Sequence, residues 1–261
     1  MVPFEISLGK KNQQRSQGLP PAVILAGGLG TRLRSAFASG PKSMAPIGDR
    51  PFLDYVLGWL SSEGVSRVIL CVGYKRSQIQ RFVGNGSRWN VQAGYAIEKE
   101  LLGTGGAVKN AETLIDADDV FVVNGDTMLD VSLKGLNDFH RQKKGWLTIA
   151  AVKVPKQDRY GTLELGYEGK VKAFVEKGVT ANTRGTHTIN GGVYILRTKL
   201  LRAIQGQCPI SLEKQIFPKL AAKGRAYGYV TDSYFIDIGI PEDFRRAKAE
   251  LPKRFGVRYS R

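Results

Sequence analysis

Ala22-Val23-Ile24-Leu25-Ala26-Gly27-Gly28-Leu29-Gly30-Thr31-Arg32-Leu33 is a short aliphatic run that breaks into a glycine-rich turn, and its reading decides the rest of the chain. The run is too short for a helix and reads as a buried strand. Gly27, Gly28 and Gly30 let the backbone turn sharply and bring its N–H groups close to a ligand without Cβ interference. Arg32, and Lys42 in the later Pro41-Lys42, set two cations beside that cradle, as a polyphosphate requires. Residues Ala26, Gly27, Gly28, Gly30 and Thr31 therefore read as the cradle of a nucleoside triphosphate. No Lys-Ser or Lys-Thr follows the glycines at P-loop spacing, and counting from Gly28 the third position of a dinucleotide fingerprint is Leu33.

Outward from this loop, strand and helix patterns alternate. Pro51 opens a helix with apolar residues at 53, 56, 57 and 60, and Gly64 suits its end. Arg67–Val72 reads as a strand, 77–83 as a short helix and Val91–Ile97 as a third strand. A helix over about 104–114 follows, for which Thr104 is a candidate cap. Val120–Asp126 is a further apolar strand, ending in a carboxylate, Ser132–Lys144 an amphipathic helix and Trp146–Val154 a strand. Helices are expected near 197–205, 210–222 and 242–251. Such alternation implies an α/β fold, a Rossmann-like three-layer sandwich whose mixed sheet is mainly parallel. The expected organisation is an arm over 1–19, one domain over 20–251 and a basic tail over 252–261.

Bulk properties bound the function. A chain of 261 residues, 42% hydrophobic and 24% charged, builds one large domain with a full core. No apolar run approaches the roughly 18 residues of a membrane helix, and no leader pattern opens the chain. Cys71 and Cys208 make neither a disulfide framework nor a zinc pattern, which points to a reducing cytoplasm. The net charge of +16 is partly terminal: residues 245–261 hold seven basic side chains against Glu250. The charge on the rest of the chain reads as steering for phosphate-bearing substrates. No helix-turn-helix, zinc finger or aromatic RNA-binding signature accompanies it, so neither nucleic acid nor a membrane is expected as a partner. His140 lies in a polar helix and His187 in a Thr-rich loop, neither beside an evident nucleophile.

A second glycine turn, Gly103-Thr104-Gly105-Gly106, follows Glu98-Lys99-Glu100-Leu101-Leu102, and close backbone approach there suits a flat nucleobase. Gly125-Asp126 ends an apolar strand at the sheet edge where ligands of open parallel sheets bind. An Asp there, beside a triphosphate, reads as a Mg²⁺ ligand. Taken alone, Glu176-Lys177 reads as surface charge.

Together G-G-L-G-T-R-L, the later P-K, L-G-T-G-G, N-G-D-T, R-Y-G-T, I-N-G-G and Y-F-I-D-I-G-I-P-E-D resemble the sugar-1-phosphate nucleotidylyltransferases over about 22–244. Within that family they are most similar to the guanylyltransferases of D-glycero-α-D-manno-heptose 1-phosphate. The resemblance implies the nucleotide-diphospho-sugar transferase fold, GTP and a sugar 1-phosphate as substrates, and a Mg²⁺ cofactor. It implies catalytic roles for Arg32, Lys42, Asp126, Lys177 and Asp237, with Asp126 and Asp237 as metal ligands. Gly103, Thr104 and Gly105 would meet the base, beside Gly125. Gly161, Glu176, Asn190 and Gly191 would meet the sugar. The family's E-K-P reads Glu176-Lys177-Gly178 here, and its W-x-D-x-G-T-P carries Phe235 and Ile240 at the Trp and Thr positions. Two rival readings remain: a neighbouring nucleotidylyltransferase that uses mannose 1-phosphate with GTP or another sugar phosphate with UTP, and a non-catalytic nucleotide-sugar-binding or regulatory subunit. A homo-oligomer is compatible with the sequence, which does not specify one.

Overall fold

The first aliphatic run forms strand β1 (Ala22–Leu25), buried except at its last residue. The computed structural model describes residues 18–28, 33, 36–154, 161–175, 186–205 and 208–256. Past the glycine turn, a 3-10 turn over Lys42–Met44 leads to the small antiparallel pair β2 (Pro46–Ile47) and β3 (Arg50–Pro51). Helix α1 (Phe52–Ser62) buries Leu53, Val56, Leu57 and Leu60 at helical spacing, and the chain leaves it through Gly64 at φ +91°. Each of those side chains contributes about 1.5–3 kcal/mol of burial before entropy is counted.

The alternation continues through β4 (Arg67–Val72), α2 (Arg76–Val83), β5 (Gln92–Ile97), α3 (Gly103–Asn110) and β6 (Asp119–Asn124). Strands β6, β1, β4 and β5 are parallel neighbours in that order. Strand β7 (Thr127–Leu129) then leaves the sheet, and α4 (Leu133–Lys143) starts where the Ser132 hydroxyl accepts the Gly135 N–H at 3.2 Å. The second half supplies β8 (Leu147–Val154), β9 (Thr162–Leu165), β10 (Val171–Val175) and β11 (His187–Arg197). Because β11 runs antiparallel to both β6 and β8, it welds the halves into one nine-stranded sheet. Helix α5 (Thr198–Ala203), a π turn over Leu212–Ile216 and α6 (Phe217–Ala222) lead to β12 (Ala226–Thr231), parallel to β8. Strand β13 (Phe235–Asp237) pairs antiparallel with β7, and α7 (Pro241–Phe255) closes the described chain.

Side chains alternate along β1 into two cores. Ala22 and Ile24 join the core under α1, α2, α4 and α7, while Val23 joins the one under α3, α5 and α6. The sheet therefore carries helices on both faces, as the expected three-layer sandwich requires.

Two local expectations are corrected. Helix α3 begins at Gly103, one residue before Thr104, so Thr104 is not its cap; its hydroxyl instead accepts the Leu212 N–H at 2.8 Å. Helix α7 runs to Phe255, past the expected end near 251, although Pro252 lies inside it. Phe255 is fully buried with its ring 5.9 Å from that of Tyr234, and this burial outweighs the hydrogen bond that proline forgoes. His140, in the polar helix α4 as expected, is fully buried: Nδ1 lies 2.7 Å from the Thr148 hydroxyl, and Nε2 lies 3.5 Å from Asp119.

Candidate active site

Asp126 lies just beyond the carboxyl end of the parallel strand β6. Gly125 follows β6 so close to β1 that a Cβ on it would lie 2.7 Å from the Leu25 carbonyl oxygen, which accepts the Gly125 N–H at 3.0 Å. The tight fit sets Asp126 at the mouth beside the glycine turn. Pairing of β13 with β7 places Asp237 opposite Thr127, and the Ile238 N–H donates to the Asp126 carbonyl at 3.0 Å. Between the two carboxylates lies the Lys42 ammonium, 2.5 Å from Asp126 Oδ2 and 3.4 Å from Asp237 Oδ1. The Gly239 N–H donates a further 2.6 Å bond to that Asp237 oxygen. A Cβ on Gly239 would come within 2.7 Å of the carboxylate and 3.0 Å of the ammonium, so only glycine leaves the pair room.

Side-chain exposures of 13% for Lys42, 37% for Asp126 and 21% for Asp237 describe a cluster at the rim, open to a ligand yet partly shielded from water. Two carboxylates converge here on one ammonium, and carboxylate oxygens are the donors a hard divalent cation takes. The donors are oxygens only, and no group of three or more His, Cys, Asp or Glu side chains suited to a metal occurs among the described residues. That set fits Mg²⁺, which takes one or two carboxylates and completes its shell with phosphate oxygens and water.

At the first glycine turn, a Cβ on Gly28 would meet nothing within 4 Å, so that face of the loop is open. A Cβ on Gly27 would instead collide with the Glu98 carboxylate. Glu98 is half-buried; burial pushes its carboxyl above the ordinary range, and the Leu102 backbone donor partly opposes that. Ala26 is buried, its N–H donating to the Cys71 carbonyl at 3.0 Å. In the second glycine turn, Gly103 has φ +72°, and a Cβ on it would lie 2.5 Å from the Ile210 carbonyl oxygen. A Cβ on Gly105 would lie 2.9 Å from the Ile210 side chain. These glycines are demanded by packing on Ile210, whatever ligand approaches their other face.

On the third side, Asn190 lies on β11, and its N–H donates to the Gly161 carbonyl at 3.1 Å. Gly191 packs where a Cβ would lie 2.6 Å from the Leu129 side chain. Gly30, Thr31, Arg32, Glu176 and Lys177 lie outside the described residues. Of the expected catalytic set, the described members Lys42, Asp126 and Asp237 converge on one point.

Residues 21–254 match the family described as Nucleotidyl transferase. The chain belongs to that family. Nucleotidyl transferases of this kind generally use a divalent metal. This nucleotidyl transferase is 41% identical over 231 residues to the D-glycero-alpha-D-manno-heptose 1-phosphate guanylyltransferase of Aneurinibacillus thermoaerophilus, covering 88% of this chain and 97% of that one. It is 37% identical to the mannose-1-phosphate guanylyltransferase of Mycobacterium tuberculosis over 88% of its own length, but spans only 64% of that relative. Among solved structures, HddC from Yersinia pseudotuberculosis complexed with GMP-PN superposes with a TM-score of 0.79 at 39% identity, covering 89% of this chain and all of that one.

Sequence reasoning assigned no role to Glu98, Tyr194 or Glu213 of this nucleotidyl transferase. Glu98 sits within a charged Glu-Lys-Glu run, and only the fold shows it turned against Gly27. Tyr194 looks like any aromatic of a core strand, and Glu213 like any helical surface acid. In the fold Tyr194 is fully buried, with its hydroxyl 3.5 Å from Glu213. No helix among the described residues is long and apolar enough to cross a membrane.

Proposed function

We propose that this nucleotidyl transferase moves the guanylyl group of GTP onto D-glycero-α-D-manno-heptose 1-phosphate, forming GDP-heptose and pyrophosphate. The observation that carries the chemistry is the Lys42 ammonium held between Asp126 and Asp237 beside the glycine turn. The choice of guanine and heptose rests on 41% identity across nearly the whole length of a relative with that name.

In this reading an oxygen of the sugar phosphate attacks the α-phosphorus of GTP in line. A new P–O bond forms, the bond to the β-phosphate oxygen breaks, and pyrophosphate leaves with that electron pair. Such a transfer needs positioning and charge stabilisation more than covalent help. Gly27, Gly28, Gly30 and Thr31 cradle the triphosphate, and Arg32 meets the leaving pyrophosphate. Lys42 neutralises charge at the reacting phosphorus, and Lys177 holds the incoming phosphate. The backbone at Gly103, Thr104 and Gly105 flanks the base. Glu176, Asn190, Gly161 and Gly191 form the sugar side. Asp126 and Asp237 would hold Mg²⁺, which when bound draws negative charge off the phosphate oxygens. The free thiols Cys71 and Cys208 suit a reducing cytoplasm as the site of the reaction.

The test is Mg²⁺-dependent pyrophosphate release with each of the common nucleoside triphosphates against heptose 1-phosphate, mannose 1-phosphate and glucose 1-phosphate. The expected result is release with GTP and the heptose phosphate. Preference for mannose 1-phosphate would keep the mechanism and replace the sugar, and silence from a folded sample would overturn the reading.

A further inference from the structure

Behind the floor of the site, a chain of polar side chains crosses from the second glycine turn to the sugar side. Its hub is Glu213, in the π turn over Leu212–Ile216, a helical irregularity that recurs at functional sites. One carboxylate oxygen, Oε2, accepts hydrogen bonds from the Thr104 hydroxyl at 2.7 Å and the Ser211 hydroxyl at 2.9 Å. Thr104 in turn accepts the Leu212 N–H, and the Ile210 carbonyl accepts the Gly105 N–H at 2.8 Å. The segment that carries Glu213 is thereby stitched to the turn assigned to the base. The other oxygen, Oε1, faces the Tyr194 hydroxyl at 3.5 Å, the longest link in the chain.

Tyr194 is fully buried, its ring edge-on to Phe217 with centroids 4.9 Å apart. Its hydroxyl takes a hydrogen bond from the Asn190 amide at 2.9 Å. A phenol has one donor and two acceptor positions. With one acceptor position filled by the Asn190 amide, its single proton faces Glu213. The Asn190 carbonyl oxygen accepts the Gly192 N–H at 2.9 Å, which fixes which way the amide points. One N–H of Asn190 is committed to Tyr194, leaving the second as the group offered to a sugar oxygen.

We propose that Glu213 is a positioning residue that couples the nucleotide half of the site to the sugar half, one oxygen fixing Thr104 and the other fixing the Tyr194 hydroxyl that orients Asn190. The inference rests on the guanylyl-transfer reading above. Glu213 touches neither substrate; it sets the separation of the two groups that do. A lesion on the nucleotide side should therefore be felt in the KM for the sugar phosphate, and the reverse.

The experiment begins with wild-type turnover of GTP with heptose 1-phosphate or mannose 1-phosphate, because silence there overturns the functional reading and this proposal together. With turnover established, Glu213→Gln should raise both KM values about tenfold, the worth of one hydrogen bond to a charged group, and change kcat less. Thr104→Val cuts the nucleotide arm alone and Tyr194→Phe the sugar arm alone. In the Thr104→Val/Tyr194→Phe cycle the KM effects should depart from multiplicativity by at least about threefold, and Glu213→Gln should abolish that departure. Multiplicative KM effects in a cycle of folded proteins, or wild-type KM values in a folded Glu213→Gln protein, would overturn the proposal while leaving the transfer reaction intact. If Glu213→Gln fails to fold, the Thr104–Tyr194 cycle decides on its own by the same criterion.

Discussion

Lys42 lies between two carboxylates in a partly shielded rim, where an ammonium stabilises anionic charge more strongly than it does in water. Replacing it with alanine should lower kcat for pyrophosphate release by about 10²–10³-fold, the range for loss of one electrostatic donor. Near-wild-type turnover by Lys42→Ala would remove it from the mechanism. Glu98 makes a second prediction at this scale. Its carboxyl is held above the ordinary value of 4.5 mainly by burial, so the protonated form is favoured in the folded protein. The associated stability is complete below the unfolded value and is lost as the pH rises through the raised folded one. Glu98→Gln, a mimic of the protonated acid, should therefore raise Tm relative to wild type more at about pH 7 than at about pH 4. A Tm difference that is the same at both pH values would contradict this. That Lys42, Asp126 and Asp237 would meet was expected because each sits in a motif that resembles the family's, and the fold does bring them together. Glu98 and Glu213 were not legible in this way, since neither their burial nor their partners can be read from neighbours in the chain.

At the scale of the element, regular pieces were legible and their ends were decided by contacts. The apolar spacing of α1 and the aliphatic runs of β1, β4 and β6 report burial directly, and these elements fall where the pattern puts them. Helix α7 extends past Pro252 because Leu251 and Phe255 pack into the core beneath it. Truncating Phe255 to alanine should cost about 3–5 kcal/mol, as for other large aromatic side chains removed from a core. Urea unfolding would show this as a lower midpoint with an unchanged slope. A loss below about 1 kcal/mol, typical of a surface site, would mean that this last turn is only loosely docked. Thr104 illustrates the same lesson at the start of α3. Its type and position suit a cap, but a backbone N–H more than a hundred residues away takes its hydroxyl.

Across the whole molecule, one sheet joins a parallel nucleotide-side half to a largely antiparallel second half through β11. The clustered carboxylates, the glycine turns and Asn190 all lie where these halves meet. A net charge of +16 surrounds a site assigned to polyanionic substrates. Raising salt from about 10 mM to about 150 mM shortens the screening length from about 30 Å to about 8 Å. The KM for GTP should therefore rise over that interval while kcat changes little. A flat KM would show that the charge serves something other than substrate capture.

The alternation of strands and helices from β1 to β8, the glycine turn and the carboxylate after β6 were legible in the sequence alone, because each depends on local periodicity, glycine placement or a motif read in one stretch; strands β11 and β12 were not. Tertiary structure decided which distant groups meet. It brought Asp237 to Asp126 across the β7–β13 pair and set Lys42 between them. It packed Ile210 under the second glycine turn and buried the Tyr194–Glu213 link behind Asn190. Those contacts join residues separated by 19 to 195 positions. No local pattern encodes such a meeting, because it exists only once the sheet has closed and both cores are filled.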